Sequence, residues 1–287
     1  MDILEVIILD KQIHDEVGYW TEIKLDIIKK YAAAYTKILS QKQVIRKYIY
    51  IDAFAGSGTH ISRTSGQEIK GSPQVALEVD PPFSEYHFID LDKQKIFELE
   101  KLALEREDVF VHEADCNEVL LHRIFPRARY QDFHRALCVL DPYSLQLNWN
   151  VVKAAGKMKS IDVFINFPSL DMNRNVLWSN PEGVSPRKLE EMNAFWGDDS
   201  WKRVAYKKDP QGSLFGEENI LPTKKKEIVE AYGKRLIYDA GFGYVPDPLP
   251  MRNRNGAIVY YLFFASKQQV AGNIINDIFE NYRNRKQ

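Results

Sequence analysis

Only two of the 287 residues are cysteine, Cys116 and Cys138. Two thiols make neither a disulfide framework nor a four-cysteine metal site, and both flank apolar runs, as buried structural thiols do. Long apolar runs are missing as well: no stretch approaches the roughly 18 residues that a membrane-spanning helix needs. The first ten residues, Met1 to Asp10, carry acids where a secretory signal carries a basic segment, so the expected location is cytoplasmic. His14, His60, His87, His112, His122 and His134 are scattered without ligand spacing, and no metal site is expected. A charge excess is also lacking. With 39 basic and 40 acidic residues, the net charge of −1 argues against a basic tail or a nucleic-acid coat. There is no internal repeat and no low-complexity tract.

What the chain does contain is ordinary for a globular protein: 45% hydrophobic and 28% charged residues, in a length that suits one large domain carrying an inserted piece. Its charges are unevenly placed, with 13 acids against 4 bases between Ala76 and His122 but 15 bases against 9 acids from Trp201 onward. Such segregation leaves room for one basic face able to meet a phosphate backbone.

The most informative stretch is Tyr48-Ile49-Tyr50-Ile51-Asp52-Ala53-Phe54-Ala55-Gly56-Ser57-Gly58. Strand-forming residues end in an acid, and two glycines then let the backbone turn and approach a ligand without a Cβ in the way. Similar runs recur at Tyr86–Ile89, Val109–His112, Ala136–Leu140 and Ile161–Phe167, with helical patterns before the first (about Val17 to Ser40) and between them. A helix start at Ser72-Pro73 comes only after a long polar loop. A helix from about Thr223 to Ala240, a strand at Gly243–Val245 and a last strand at Ile258–Ala265, paired antiparallel, complete the pattern. The predicted fold is α/β: a doubly wound, Rossmann-like, seven-stranded sheet, mostly parallel with an antiparallel last strand and a helical insertion. Within one domain the expected parts are an N-terminal helical extension (1–47), a cofactor-binding half (48–167), an insertion or lid (168–222) and a C-terminal helix with the last strands (223–287).

Four strands end in acids: Asp52, Asp90, Asp115 and Asp141. In parallel α/β sheets these ends share one edge, so the four acids are expected to converge on one crevice. A carboxylate after the second strand can accept both hydroxyls of a ribose, and one after the third can accept the amine of an adenine. Each acid singly also suits a helix cap. NAD is disfavoured, because the third glycine of Gly-x-Gly-x-x-Gly is absent and the helix that would hold a pyrophosphate starts late.

The segment Asp52-Ala53-Phe54-Ala55-Gly56-Ser57-Gly58 resembles motif I of the class I S-adenosylmethionine-dependent methyltransferases. Phe88-Ile89-Asp90-Leu91-Asp92 and Ala114-Asp115-Cys116 are similar to their ribose and adenine motifs. The resemblance implies S-adenosylmethionine as cofactor, with Asp52, Phe54, Ala55, Gly56, Gly58, Asp90, Leu91, Asp115 and Cys116 against it, and Lys24 as a candidate for its carboxylate. Asp141-Pro142-Tyr143-Ser144 is similar to the Asp-Pro-Pro-Tyr motif of methyltransferases that act on exocyclic amines of nucleic-acid bases. In that motif the Asp oxygen and the proline carbonyl accept the two N–H bonds of the amine, and the tyrosine stacks on the base. The second proline is missing, which brings the segment closer to the Asp-Pro-Phe-Gly of tRNA guanine-N2 dimethyltransferases; adenine, cytosine and guanine amines all remain open.

A broader resemblance spans Trp20-Thr21-Glu22-Ile23-Lys24-Leu25, Gly71-Ser72-Pro73, Leu140-Asp141-Pro142-Tyr143, Phe195-Trp196-Gly197-Asp198 and Tyr261–Lys267. Together with motif I these segments look like the bacterial three-Cys-motif partner protein family. That resemblance implies a partner with cysteine-bound iron–sulfur chemistry. Two functions follow as expectations. One is a methyltransferase in which Asp141, Pro142 and Tyr143 carry the chemistry on RNA or DNA; the other is a cofactor-binding, non-catalytic half of a two-protein system. Asn166 after the fifth strand could line the base pocket or simply end the strand. Trp178, Trp196 and Trp201 are candidates for base stacking, and Lys224–Lys226 and Arg252–Arg254 for phosphate contacts.

Overall fold

The apolar runs pair into one seven-stranded sheet. In chain order its strands are β1 (Lys47–Asp52), β2 (Glu85–Asp90), β3 (Val109–Glu113), β4 (His134–Leu140), β5 (Ile161–Phe167), β6 (Leu249–Arg252) and β7 (Ile258–Ala265). A computed structural model describes residues 15–63, 65–178, 181–208, 220–222 and 225–283. Met1–Asp10, His14, Thr223 and Lys224 therefore lie outside the described residues. Across the sheet the order is β6-β7-β5-β4-β1-β2-β3. The five strands from β3 to β5 run parallel, while β7 is antiparallel to both of its neighbours, β5 and β6.

The central strands are apolar on both faces because both faces are covered. Alternation sends Ile49, Ile51, Ala136 and Cys138 to one side and Tyr50, Leu137 and Val139 to the other. The helices, in chain order, are α1 (Tyr19–Ser40), α2 (Ser72–Leu77), α3 (Lys93–Ala103), α4 (Cys116–Val119), α5 (Trp149–Met158), α6 (Ser169–Asn175), α7 (Pro186–Trp196), α8 (Trp201–Ala205), α9 (Lys225–Tyr238) and α10 (Gln269–Arg283). Helices α1, α2, α3 and α10 cover the Tyr50 face, and α4 to α9 cover the Ile51 face. None of the described helices is long and apolar enough to cross a membrane.

Three expectations need correction. The sixth strand is Leu249–Arg252, not Gly243–Val245, whose Tyr244 makes only an isolated bridge to Ser266. Pro250 disguises that strand in the sequence; at the sheet edge its missing N–H costs no ladder bond. The polar loop after Gly58 is instead a hairpin, Thr59–Ser62 with Glu68–Lys70, which also pairs with Asp15–Val17. Finally, Trp196 and Trp201 are each 1% exposed and cannot stack on a base. They belong to the core with Phe195, which stacks on Tyr232 of α9 at 5.4 Å, so much of segment 168–222 packs directly onto the sheet. Trp178 is the exposed one of the three, its Nε1 donating to the Arg174 carbonyl at 2.6 Å.

Sequence scatter also hides one pair of histidines. Pairing of β2 with β3 stacks His87 on His112 at 5.2 Å, with Glu85 accepting from His87 Nε2 at 2.7 Å.

Candidate active site

Strands β4, β1, β2 and β3 are consecutive, so the acids at or just beyond their carboxyl ends stand in a row along one edge: Asp141, Asp52, Asp90 and Asp115. The turn after β1 is tied to both flanks. Ala53 N–H donates to the Val139 carbonyl at 3.0 Å and Ala55 N–H to the Ile89 carbonyl at 2.9 Å. Gly56 and Gly58 then take φ of 65° and 80°, the left-handed region that favours glycine. The position is uncrowded: an added Cβ at Gly56 would meet only His60, at an ordinary contact distance of 3.8 Å.

Asp90 accepts the Gly56 N–H on Oδ2 and the Asp92 N–H on Oδ1, both at 2.9 Å. A carboxylate offers about four lone-pair sites, so it retains capacity for hydroxyl donors. Asp115 caps α4, its Oδ1 accepting from Asn117 N–H at 2.8 Å and Glu118 N–H at 3.3 Å. Cys116 is buried, and burial pushes its thiol up to about 12. Leu91 is exposed beside Asp90. Asp52 is fully buried; desolvation and then the charge of Asp141 push it up to about 7, against the Ser72 hydroxyl, the Phe54 N–H and Lys24.

Beside this row opens a cleft of about 390 Å³. Its walls bring together Lys24 of α1, Phe54 and Ala55 of the turn, and Asp141, Pro142 and Tyr143. Gly56, Gly58, Asp90, Leu91, Asp115 and Cys116 lie outside those walls. Lys24 is 7% exposed, and its Nζ donates to Asp141 Oδ2 in an ion pair. The Pro142 carbonyl accepts from Asn166 Nδ2 at 3.3 Å. The Tyr143 ring is 62% exposed, with Lys95 Nζ 5.2 Å from its centre. Trp20, His60, Arg63 and Tyr260 also line the cleft and were not singled out from sequence. The signal of His60 and Arg63 was hidden because the hairpin carrying them reads as a polar loop, and Trp20 of α1 and Tyr260 of β7 read as ordinary members of apolar runs.

An antiparallel strand between β5 and β6 is foreign to the all-parallel dinucleotide fold and decides the architecture. The fold is that of a class I methyltransferase. No protein-family model and no curated protein matches the sequence. Among solved structures, the chain is similar to LPL1258 of Legionella pneumophila, of family model DUF519. The TM-score is 0.53 at 12% identity, over 90% of this chain and 91% of that one. It is more distantly similar to the Methanococcus jannaschii fibrillarin pre-rRNA processing protein (TM-score 0.38, 16% identity, 83% and 74% covered). The CurJ carbon methyltransferase gives a TM-score of 0.37 at 10% identity, with 83% and 54% covered. At 12% identity the likeness to LPL1258 speaks for the fold alone.

Proposed function

We propose that the chain is an S-adenosylmethionine-dependent methyltransferase acting on an exocyclic amine of a nucleic-acid base, in RNA or DNA, together with a partner protein. One observation carries this: Asp141, Pro142 and an exposed Tyr143 together line the cleft at the end of β4. Asp141 and the Pro142 carbonyl are two acceptors for the two N–H bonds of an amine, and Tyr143 offers a face on which an unstacked base can lie.

The residues present suit the cofactor. The backbone at Gly56 carries no Cβ and so admits close approach, and Asp90 has acceptor capacity for a ribose. Phe54 and Ala55 border the cleft beside them. Lys24 has three donors, of which the ion pair with Asp141 needs one, so the ammonium can also face a carboxylate. When bound, S-adenosylmethionine supplies a methyl group activated on a sulfonium. The chain's own part is to hold the amine with its lone pair toward that methyl and to exclude alternatives, and orientation of this kind provides most of the rate.

Lys24 on Asp141 favours a second reading, in which the pocket binds cofactor while the chain serves as the regulatory half of a two-protein system. The partner proposed for either reading is the three-cysteine-motif iron–sulfur protein implied by the sequence resemblance. Transfer of labelled methyl to total RNA and DNA separates the readings. Incorporation by the wild type that is lost in Asp141→Ala supports the enzyme, whereas incorporation surviving in Asp141→Ala removes Asp141 from its role. Calorimetric absence of binding to both S-adenosylmethionine and S-adenosylhomocysteine would sink the cofactor assignment.

A further inference from the structure

At the edge of the sheet opposite the cleft, the amino ends of β4 and β5 border a second cavity, of about 220 Å³. Arg135 and Asp162, the second residues of those strands, line it, and α1 and α10 contribute Tyr31, Tyr35 and Ala271. These three are buried, whereas Val44, Tyr130 and Val270 of the same lining are 63%, 47% and 49% exposed. Apolar side chains left in water around one cavity, instead of singly, point to a binding site. Its charge is one-sided. Lys42, Arg135 and Lys159 all line it, and none of them has an ion pair among the described residues. The acid of the lining is already engaged: Ser266 donates its hydroxyl to Asp162 Oδ1, and Tyr31 donates its own to Oδ2 at 2.7 Å. Arg135 is anchored by Nη1 alone, which donates to the carbonyls of Tyr130 at 3.4 Å and His134 at 2.7 Å. Its Nε and Nη2 have no hydrogen bond among the described residues. Those two nitrogens form the edge by which a guanidinium grips both oxygens of a carboxylate, as Arg106 grips Asp108 in this same chain.

We propose that this cavity is a second small-molecule site, separate from the cleft, and that its ligand is a small aromatic carboxylate. Size sets the body of the ligand. A dry cavity of about 150 Å³ takes benzene, so the larger volume here has room for one ring bearing a carboxylate. The rings of Tyr31, Tyr35 and Tyr130 suit an aromatic body, which they can meet edge-on or in offset stacking. Charge sets the head group. The free edge of Arg135 matches two carboxylate oxygens, and Lys42 and Lys159, both exposed, add to the positive field at the opening. An ammonium ligand would meet three cations and an acid that already accepts from two hydroxyls. Nothing in this assignment depends on what the cleft binds, since no residue lines both cavities.

The test is calorimetric titration of the full chain with benzoate, with benzamide as the neutral counterpart and benzamidine as the cationic one. Benzoate should bind with a dissociation constant of about 0.1–1 mM, and benzamide at least about 10-fold more weakly. Benzamidine should give no binding heat. Arg135→Lys keeps the charge but loses the fork, and should weaken benzoate by about 10-fold. The double variant Lys42→Gln/Lys159→Asn changes two exposed positions, and asparagine tolerates the left-handed φ of 62° at 159. It should weaken benzoate by about 3- to 10-fold and leave benzamide unchanged. A silent titration of the wild type with benzoate overturns the proposal, as does benzamidine binding as tightly as benzoate. Benzoate affinity that is unchanged in the variants places the ligand elsewhere and overturns it too. Should Arg135→Lys not fold, the surface double variant and the three wild-type titrations decide. Each of these outcomes leaves the reading of the cleft where it stood.

Discussion

Lys24, in the second turn of α1, is ion-paired with Asp141 at the end of β4, 117 residues away in the chain. The pair joins the N-terminal helix to the residue expected to receive the substrate, so the helix is a wall of the site and not an appendage. Lys24 is nearly buried while the Asp141 side chain keeps 24% of its exposure, so loss of the cation leaves a charge only partly reached by water. Lys24→Met should therefore lower stability by about 1–3 kcal/mol in chemical denaturation. The double variant Lys24→Met/Asp141→Asn should recover at least half of the loss. An undiminished midpoint in the single variant would show that the pair contributes nothing.

Asp52 gives the fold a pH dependence of definite sign. Its folded pKa of about 7 lies above the ordinary value of 3.8 that the unfolded chain keeps. Between those values the unfolded chain has lost the proton that the folded chain keeps, so stability falls as pH rises, by about 1.4 kcal/mol per unit at most. The contribution is complete below pH 4 and gone above pH 7. Asp52→Asn, which cannot ionise, should gain on the wild type when unfolding at pH 7.5 is compared with pH 5. A difference between the two proteins that does not change with pH would contradict this.

The two glycines of the turn should respond differently to alanine. Both carry positive φ, which costs an L-residue about 1–2 kcal/mol. At Gly56 the added methyl meets no clash, its one neighbour being His60 at 3.8 Å, so its main effect should be weaker binding of S-adenosylhomocysteine in calorimetry. At Gly58 it would stand 2.7 Å from Leu102 Cδ1, so Gly58→Ala should show the larger fall in melting temperature.

Trp201 tests whether the segment between β5 and α9 is dispensable. It is 1% exposed, and its Nε1 donates to Asn193 Oδ1 at 2.7 Å. Trp201→Ala should cost about 3–5 kcal/mol, as for a large core side chain. A loss below 1 kcal/mol would mark the segment as a loosely attached lid.

Tyr143 should matter for ligand and little for folding. With its ring 62% exposed, Tyr143→Ala should leave the melting temperature nearly unchanged. Affinity for a single-stranded oligonucleotide should fall by the ~1–3 kcal/mol typical of one stacked base. Unchanged affinity would take the ring out of the binding surface.

Periodicity and punctuation in the sequence were enough for six of the seven strands, because strands covered on both faces must be written as continuous apolar runs such as Tyr48–Ile51 and Ala136–Leu140. The same logic placed Asp52, Asp90, Asp115 and Asp141 at strand ends, since parallel strands put their carboxyl ends along one edge. The sequence could not show the use to which each acid is put. Asp115 spends an oxygen on the cap of α4, and Asp90 braces the glycine turn, because nearby backbone N–H groups compete for the same carboxylates. Nor could it show that Pro250 sits in an edge strand, where a missing N–H is harmless, or that Trp196 and Trp201 are core. Lys24 meeting Asp141, and Asn166 left with a shielded acceptor beside Pro142, were decided only by the tertiary structure. Both depend on side chains from distant segments being packed against one another, and local propensity carries no record of such encounters.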